Sequence, residues 1–75
     1  MRDVEHDRER FGRNITLLRR RRGLSKAALA RKADVSRDAL YQVEAGFRTP
    51  HFDTVMALAD ALAVDPGDLF NGLRA

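Results

Sequence analysis

Four polar side chains recur on one side of a short segment in the middle of the chain. Arg37, Asp38, Tyr41 and Gln42 share one face if residues 36–45 form a helix. Arginine can donate two hydrogen bonds to guanine O6 and N7, and glutamine can pair with adenine N6 and N7. A carboxylate can accept from a cytosine amino group, and a tyrosine can contact a sugar or a phosphate. These residue types at this spacing can therefore read base edges of DNA.

Two of the four side chains have an equally good structural explanation. Asp38 lies in the first turn of the predicted helix, where a carboxylate caps the helix or holds Arg37 in place. Tyr41 is equally well explained as a surface aromatic whose hydroxyl reaches water. Both explanations stay open beside a contact with DNA.

Two short helices joined by a tight turn must position these side chains. The first is predicted over residues 25–32 and the second over residues 36–45, with Ser25 and Ser36 as N-caps. Gly46 follows where a helix end needs a left-handed residue. The inner faces are predicted to hold Leu29, Ala30, Val35, Leu40 and Val43. Two helices at a steep angle, with a polar second helix on a basic chain, indicate a helix-turn-helix that reads DNA.

Three further helices are predicted around this pair. One runs from about Arg8 to Arg22, with four arginines in its last turn, Gly23 ending it and an apolar stripe at helical spacing. Its stripe consists of Phe11, Ile15 and Leu18, widened by Leu17 and Leu24. Another is predicted over residues 52–63, with an inner stripe of Val55, Leu58, Ala59 and Leu62. A short fifth helix starts at Asp65, where Pro66 takes the first position and Asp68 completes a capping box.

The predicted fold is all-α, a compact five-helix bundle that contains the helix-turn-helix. Residues 1–10 form a charged arm or a helix extension, residues 11–70 form the DNA-binding domain, and residues 71–75 form a C-terminal tail that frays after Asn71-Gly72. One unit of 75 residues has a modest core, so dimerisation is expected.

Charge is concentrated on the helix-turn-helix and the helix before it. The chain has a formal net charge of +3. Residues 11–50 contain ten basic and three acidic residues, whereas acidic residues outnumber basic ones on either side of this stretch. This asymmetry favours a polyanionic partner.

Several other classes of function have no support in the sequence. The chain has no cysteine and two distant histidines, which excludes a thiolate site and gives no metal-ligand spacing. No catalytic constellation, glycine-rich phosphate loop, cofactor motif or small-molecule site is evident, so an enzyme is not expected. No apolar run approaches the roughly 20 residues that span a bilayer, and the N-terminus does not read as a signal peptide. We therefore expect a cytoplasmic protein, associated with the nucleoid when bound to DNA.

Residues 11–70 resemble the Xre-type family of lambdoid phage repressors and Cro, which has the lambda repressor-like DNA-binding domain. The small size is also similar to that of restriction–modification controller proteins, which are dimers of this fold. The matching positions are Phe11-Gly12, Ile15, Leu18-Arg19, Gly23-Leu24-Ser25, Leu29-Ala30, Val35-Ser36, Leu40, Val43-Glu44, Gly46, Pro50, Leu58-Ala59 and Asp68-Leu69-Phe70.

The resemblance implies a role for each matching site residue. Arg19 and Glu44 correspond to a structural ion pair between the first and third helices. Base contacts are implied for Arg37, Asp38 and Gln42, with Tyr41 beside them, although Asp38 departs from the usual small polar or amide residue.

Contacts with the DNA backbone are implied for a second set of residues, which consists of Lys26, Ser36, Arg48 and Thr49. Lys26 stands where family members commonly carry a glutamine, so it keeps a phosphate donor but loses the link that the amide makes to the recognition helix. A solvent-exposed loop arginine remains the alternative for Arg48.

A dimer contact is the remaining implication, and its candidates are Phe47, Leu69, Phe70 and Leu73. Closure of the small core is the better explanation for Leu69. The resulting hypothesis is a transcription regulator that binds a pseudo-palindromic operator in double-stranded DNA as a homodimer. The alternative is an antitoxin or protein-interaction module in which DNA binding is secondary.

Overall fold

The structure is a computed structural model, which describes residues 3–73 and gives four α-helices followed by a short 3-10 helix. The helices are α1 (Val4–Arg21), α2 (Lys26–Ala33), α3 (Arg37–Glu44), α4 (Phe52–Leu62) and the 3-10 helix (Pro66–Phe70). No strand occurs in this range, so the predicted all-α fold is confirmed. The ends of the predicted arm and tail, residues 1–2 and 74–75, lie outside the described residues.

The prediction of a fifth α-helix is wrong, because the segment after α4 is a 3-10 helix of five residues. Its predicted start is nevertheless correct. The Asp65 carboxylate accepts from the Gly67 amide at 3.1 Å, and the Asp68 carboxylate accepts from the Asp65 amide at 3.2 Å. A proline and a glycine in the first turn leave little α-helical propensity, and 3-10 geometry is common in such short pieces.

Helix α1 begins at Val4, four residues before the predicted start. The Asp3 side chain accepts from the His6 amide at 3.0 Å, so it is the N-cap. Glu5 and Asp7 lie in the first turn, where negative charge complements the helix dipole. Most of the charged N-terminal segment is therefore part of α1.

The core lies where all the helices meet. Helix α1 packs against α3 and the 3-10 helix, while α2 packs against α3 and α4. The buried apolar residues are Phe11, Ile15, Leu29, Ala30, Ala33, Leu40, Val43, Val55, Leu58, Ala59, Leu62 and Leu69. Leu17 was expected beside this core but is half exposed, because it lies two positions after Ile15 and so faces the opposite side of the helix.

Gly12 allows α1 to approach the end of α3 closely. A Cβ atom at this position would lie 2.5 Å from the carbonyl oxygens of Val43 and Glu44. Only a glycine fits at that separation without displacing backbone. This contact fixes how α3 projects from the rest of the domain.

A buried asparagine ties the C-terminal segment to α1. Asn14 donates from Nδ2 to the carbonyl oxygens of Leu69 and Asn71, both at 2.9 Å. Arg10 donates from Nε to the Asn71 carbonyl at 3.2 Å. The first residue of the predicted tail, Asn71, is therefore held against α1 through its carbonyl by these two side chains.

Candidate nucleic-acid interface

Helices α2 and α3 start at the two serines that the sequence predicts. The Ser25 hydroxyl accepts from the Ala28 amide, and the Ser36 hydroxyl accepts from the Ala39 amide, both at 3.0 Å. Both predicted N-caps are therefore confirmed. Each hydroxyl satisfies one of the amides that a helix start leaves unpaired.

The turn between α2 and α3 depends on a left-handed residue that is not glycine. Asp34 has φ 56° and ψ 46°, and the Val35 amide donates back to the Ala30 carbonyl at 2.9 Å. Aspartate tolerates this region better than most residues because its short polar side chain can bond locally. The turn separates α2 from α3 and redirects the chain between them.

Helix α3 ends at Glu44, and Gly46 is the left-handed residue that follows it, as predicted. Gly46 has φ 81°, its amide donates to the Val43 carbonyl, and the Phe47 amide donates to the Gln42 carbonyl at 2.9 Å. This pair of bonds is a Schellman motif, which requires a left-handed residue after the helix. The motif turns the chain sharply away from α3 into the loop of residues 46–51.

The predicted base-reading residues lie on the outer side of α3. Arg37, Asp38 and Tyr41 are exposed, and Gln42 is half-buried. The apolar residues of the same helix, Leu40 and Val43, are buried. The arrangement leaves the donors and acceptors of this face available to a partner that approaches α3.

Arg19 and Glu44 form a buried ion pair between α1 and α3. Arg19 Nε donates to Glu44 Oε2 at 2.8 Å and Nη2 donates to Oε1 at 3.1 Å, so the contact is bidentate. Thr16 donates its hydroxyl to Glu44 Oε1 at 2.8 Å, and Arg19 Nη1 donates to the Leu24 carbonyl at 2.9 Å. Both side chains are nearly inaccessible to solvent, so the pair links α1 to α3 inside the domain.

Lys26 and Tyr41 are in contact. The Lys26 ammonium lies over the Tyr41 ring, 4.7 Å from its centroid, which is within the range of a cation–π interaction. Lys26 is the first residue of α2 and Tyr41 lies in the middle of α3. Sequence reasoning assigned both residues to DNA contact but did not predict that they touch each other.

The remaining arginines at the end of α1 have different environments. Arg22 donates from Nη2 to the Ala63 carbonyl at 3.0 Å and so closes the end of α4. Arg20 and Arg21 are exposed, as are Arg31 and Lys32 in the last turn of α2. These exposed cations surround the helix-turn-helix with positive charge.

The loop after α3 contains Arg48 and Thr49, which were predicted to contact the DNA backbone, and both are exposed. His51 is the N-cap of α4, but its side chain makes no capping hydrogen bond. The loop and the start of α4 also expose two phenylalanines: Phe47 is 72% exposed and Phe52 is 75% exposed. The exposure of Phe52 was not predicted from the sequence. The available signal was its place in the first turn of the predicted helix, outside the inner apolar stripe.

The predicted dimer candidates divide between the core and the surface. Leu69 is completely buried, so it closes the core and cannot meet a partner. Phe70 is 45% exposed, and the centroid of its ring lies 5.2 Å from that of Phe11. Leu73 is half-buried. Phe70 and Leu73 also line an apolar groove of about 280 Å³ between the start of α1 and the loop after α3.

Residues 3–73 contain no cluster of three or more histidines and carboxylates that could hold a metal ion. No helix in the same range is long and apolar enough to cross a membrane.

A family model for a helix-turn-helix domain matches residues 10–71. The chain belongs to this helix-turn-helix family. No curated protein sequence matches it significantly.

Solved structures give the same assignment. The chain is similar to the restriction-modification controller protein C.AhdI from Aeromonas hydrophila, with 34% identity and a TM-score of 0.85 over 87% of this chain and 98% of that one. An HTH_3 family transcriptional regulator from Vibrio cholerae has 28% identity and a TM-score of 0.85, over 91% of this chain and 38% of that protein. A hypothetical transcription factor from Neisseria, NHTF, has 26% identity and a TM-score of 0.83, over 91% and 78% of the two chains. The predicted resemblance to Xre-type proteins is confirmed, and the fold is that of DNA-binding transcription regulators.

Proposed function

We propose that this protein is a sequence-specific transcription regulator that binds a pseudo-palindromic operator in double-stranded DNA as a homodimer. The observation that carries the proposal is the outer face of α3, where exposed polar side chains project from the second helix of a helix-turn-helix. In such motifs this helix enters the major groove, and two copies read half-sites about 34 Å apart. The protein would act in the cytoplasm, where operator DNA is available.

Base reading is assigned to the face of α3. Arg37 stands at its first position, where a guanidinium can bond guanine O6 and N7, and Gln42 can pair with adenine. Asp38 either accepts from a cytosine amino group or orients Arg37. Tyr41 lies on the same face and completes the set of base-contact candidates.

Backbone binding is assigned to residues around this face. Lys26, Arg48 and Thr49 offer a cation or a hydroxyl to phosphate oxygens. The Ser36 hydroxyl accepts from the Ala39 amide, which leaves its own proton to be donated to a phosphate. The exposed arginines of α1 and α2 add a positive field that attracts any duplex.

A homodimer is supported by apolar side chains that the single chain leaves uncovered. Phe47, Phe52 and Phe70 are all substantially exposed, and Phe70 and Leu73 line the apolar groove. A small domain with exposed aromatic residues gains stability by covering them. These four residues are the interface candidates.

Selection of binding sites from a random DNA pool tests the proposal directly. A bound consensus with two inverted half-sites, centred one helical turn apart, is the expected result. On that operator, Arg37→Ala and Gln42→Ala should each lose about 1–3 kcal/mol of discrimination at a single base pair. Lys26→Ala should instead weaken all sequences alike and flatten the dependence of log Kd on log salt concentration.

The pool selection also defines the refuting results. A protein that enriches no sequence and ignores duplex DNA at low salt is not such a regulator. If Arg37→Ala weakens scrambled and selected duplexes equally, Arg37 contacts the backbone and the assignment of base reading to it is wrong.

An antitoxin or protein-interaction role is the second candidate, and the exposed phenylalanines Phe47 and Phe52 favour it. Gel filtration separates the two candidates. A tight homodimer in isolation supports the regulator, whereas a monomer that dimerises on no operator supports a module awaiting a different partner.

A further inference from the structure

We infer that Tyr41 acts as a positioning residue for Lys26, so that the two side chains present one fixed cation to a DNA phosphate. The inference rests on the proposed function and changes the role of Tyr41 within it. The known contact is the Lys26 ammonium at 4.7 Å from the Tyr41 ring centroid. In this role the ring face of Tyr41 holds the lysine, and the tyrosine does not choose the base sequence.

The pair connects the two helices of the helix-turn-helix on their solvent side. Elsewhere these helices meet through buried apolar residues such as Leu29 and Leu40. Lys26 is half-buried and Tyr41 is 51% exposed, so their contact lies at the surface that a duplex would cover. It gives this chain a link from the start of α2 to the recognition helix.

The position of Lys26 makes such a link useful. A lysine at the first position of a helix meets the positive end of the helix dipole, and α2 has no acidic residue in its first turn. Among residues 3–73, no carboxylate is paired with Lys26. The Tyr41 ring is therefore the group that attracts this ammonium, and the charge itself stays available to a phosphate.

Flexibility is the property that the ring removes. A lysine side chain has four carbons between its backbone and its charge, and an unrestrained one spreads that charge over many positions. A charge held before binding loses less conformational freedom when the complex forms. Tyr41 should thus raise affinity for every duplex by the same factor.

The contact can be measured first in the free protein. The chain has two lysines, Lys26 and Lys32, and Lys32 is an exposed internal control on the same helix. In proton–carbon NMR spectra the Lys26 ε-methylene protons should be shifted upfield by the ring, relative to those of Lys32. The shift should persist in Tyr41→Phe and disappear in Tyr41→Leu. Equal shifts for the two lysines in the wild type would overturn the inference.

Binding then tests the consequence on a selected operator and on a scrambled duplex. Tyr41→Phe should bind both within about twofold of the wild type. Tyr41→Leu should lose about 5- to 30-fold on both, which corresponds to the cost of ordering one lysine side chain in each of two half-sites. In a Lys26→Met background, Tyr41→Leu should produce no further loss. Circular dichroism verifies that each variant is folded. If Tyr41→Leu is not, the comparison of the Lys26 and Lys32 shifts in the wild type still tests the inference.

Two outcomes would contradict the inference and leave the proposed function intact. If Tyr41→Leu weakens the operator but not the scrambled duplex, Tyr41 reads a base. If its loss is undiminished in the Lys26→Met background, the two residues act independently. A wild-type protein that binds no duplex would instead remove the proposed function, and this inference with it.

Discussion

Replacing Glu44 with glutamine is expected to destabilise the fold severely while hardly changing its shape. The substitution preserves side-chain volume but leaves the Arg19 charge without its partner, in a place where the two side chains are only 9% and 3% exposed. The new amide nitrogen is a donor that faces groups which already donate, Arg19 and Thr16. Removing one member of a buried pair typically costs about 3–5 kcal/mol, and we expect about 3 because Thr16 can rotate to accept.

That loss is large on the scale of this domain. A chain of 75 residues has a free energy of unfolding of about 4–11 kcal/mol. Urea titration followed by far-ultraviolet circular dichroism measures the change directly, and the melting temperature should fall by about 12–24 °C.

The matched control replaces both partners at once. The double variant with Arg19→Met and Glu44→Leu removes both charges and fills the space with apolar atoms. It should therefore recover more than half of the unfolding free energy that Glu44→Gln loses. The reasoning is refuted if Glu44→Gln stays within 1 kcal/mol of the wild type, or if the double variant loses as much as the single variants added together.

Three further changes test the geometry of the backbone and caps, each by urea unfolding. Ala63→Gly should stabilise the domain by about 0.5–1 kcal/mol, because Ala63 adopts φ 56° at the end of α4. The control Ala57→Gly, within the same helix, should destabilise it by about 1 kcal/mol, and two effects of the same sign would contradict the prediction. His51→Ser should add about 0.5–1 kcal/mol by supplying the capping bond that α4 lacks, and no gain would mean that the loop cannot place the hydroxyl. Gly12→Ala should remove about 2–3 kcal/mol, because its methyl group would lie 2.5 Å from two carbonyl oxygens of α3, and a neutral effect would show that α1 can move aside.

Local signals in the sequence located the helix-turn-helix well. Ser25, Ser36 and Gly46 lie at chain positions where backbone groups must be satisfied within three or four residues. Such requirements depend on neighbouring residues alone, so the sequence displays them directly. The capping box from Asp65 to Asp68 was predictable for the same reason.

Among contacts between distant parts of the chain, the Arg19–Glu44 pair was implied by the family resemblance, but two others were not predicted. Asn14 was overlooked because its partners, the carbonyls of Leu69 and Asn71, lie more than fifty positions away. Its place three residues after Phe11, on the buried stripe, was the one available signal. The contact between Lys26 and Tyr41 likewise needs the angle between α2 and α3, which no spacing rule supplies.

The prediction left residues 1–10 open between a charged arm and a helix extension, and in the structure α1 begins at Val4. The charged residues before Arg8 carry no apolar stripe, so periodicity gave no reason to begin α1 as early as Val4. For the last helical segment, the predicted start at Asp65 is correct, but the signals at that start did not reveal that 3-10 geometry would follow.

Helix α3 is held by α1 at its C-terminal half, where Gly12 admits the carbonyls of Val43 and Glu44 and Arg19 holds the Glu44 carboxylate. The side chains assigned to base reading at Arg37 and Asp38 emerge from its other half and pack on little. Exchanges at such surface positions usually shift stability by less than about 0.5 kcal/mol. If α3 reads DNA as proposed, its target sequence can therefore change by successive substitutions that leave the molecule folded, with no compensating change in the core.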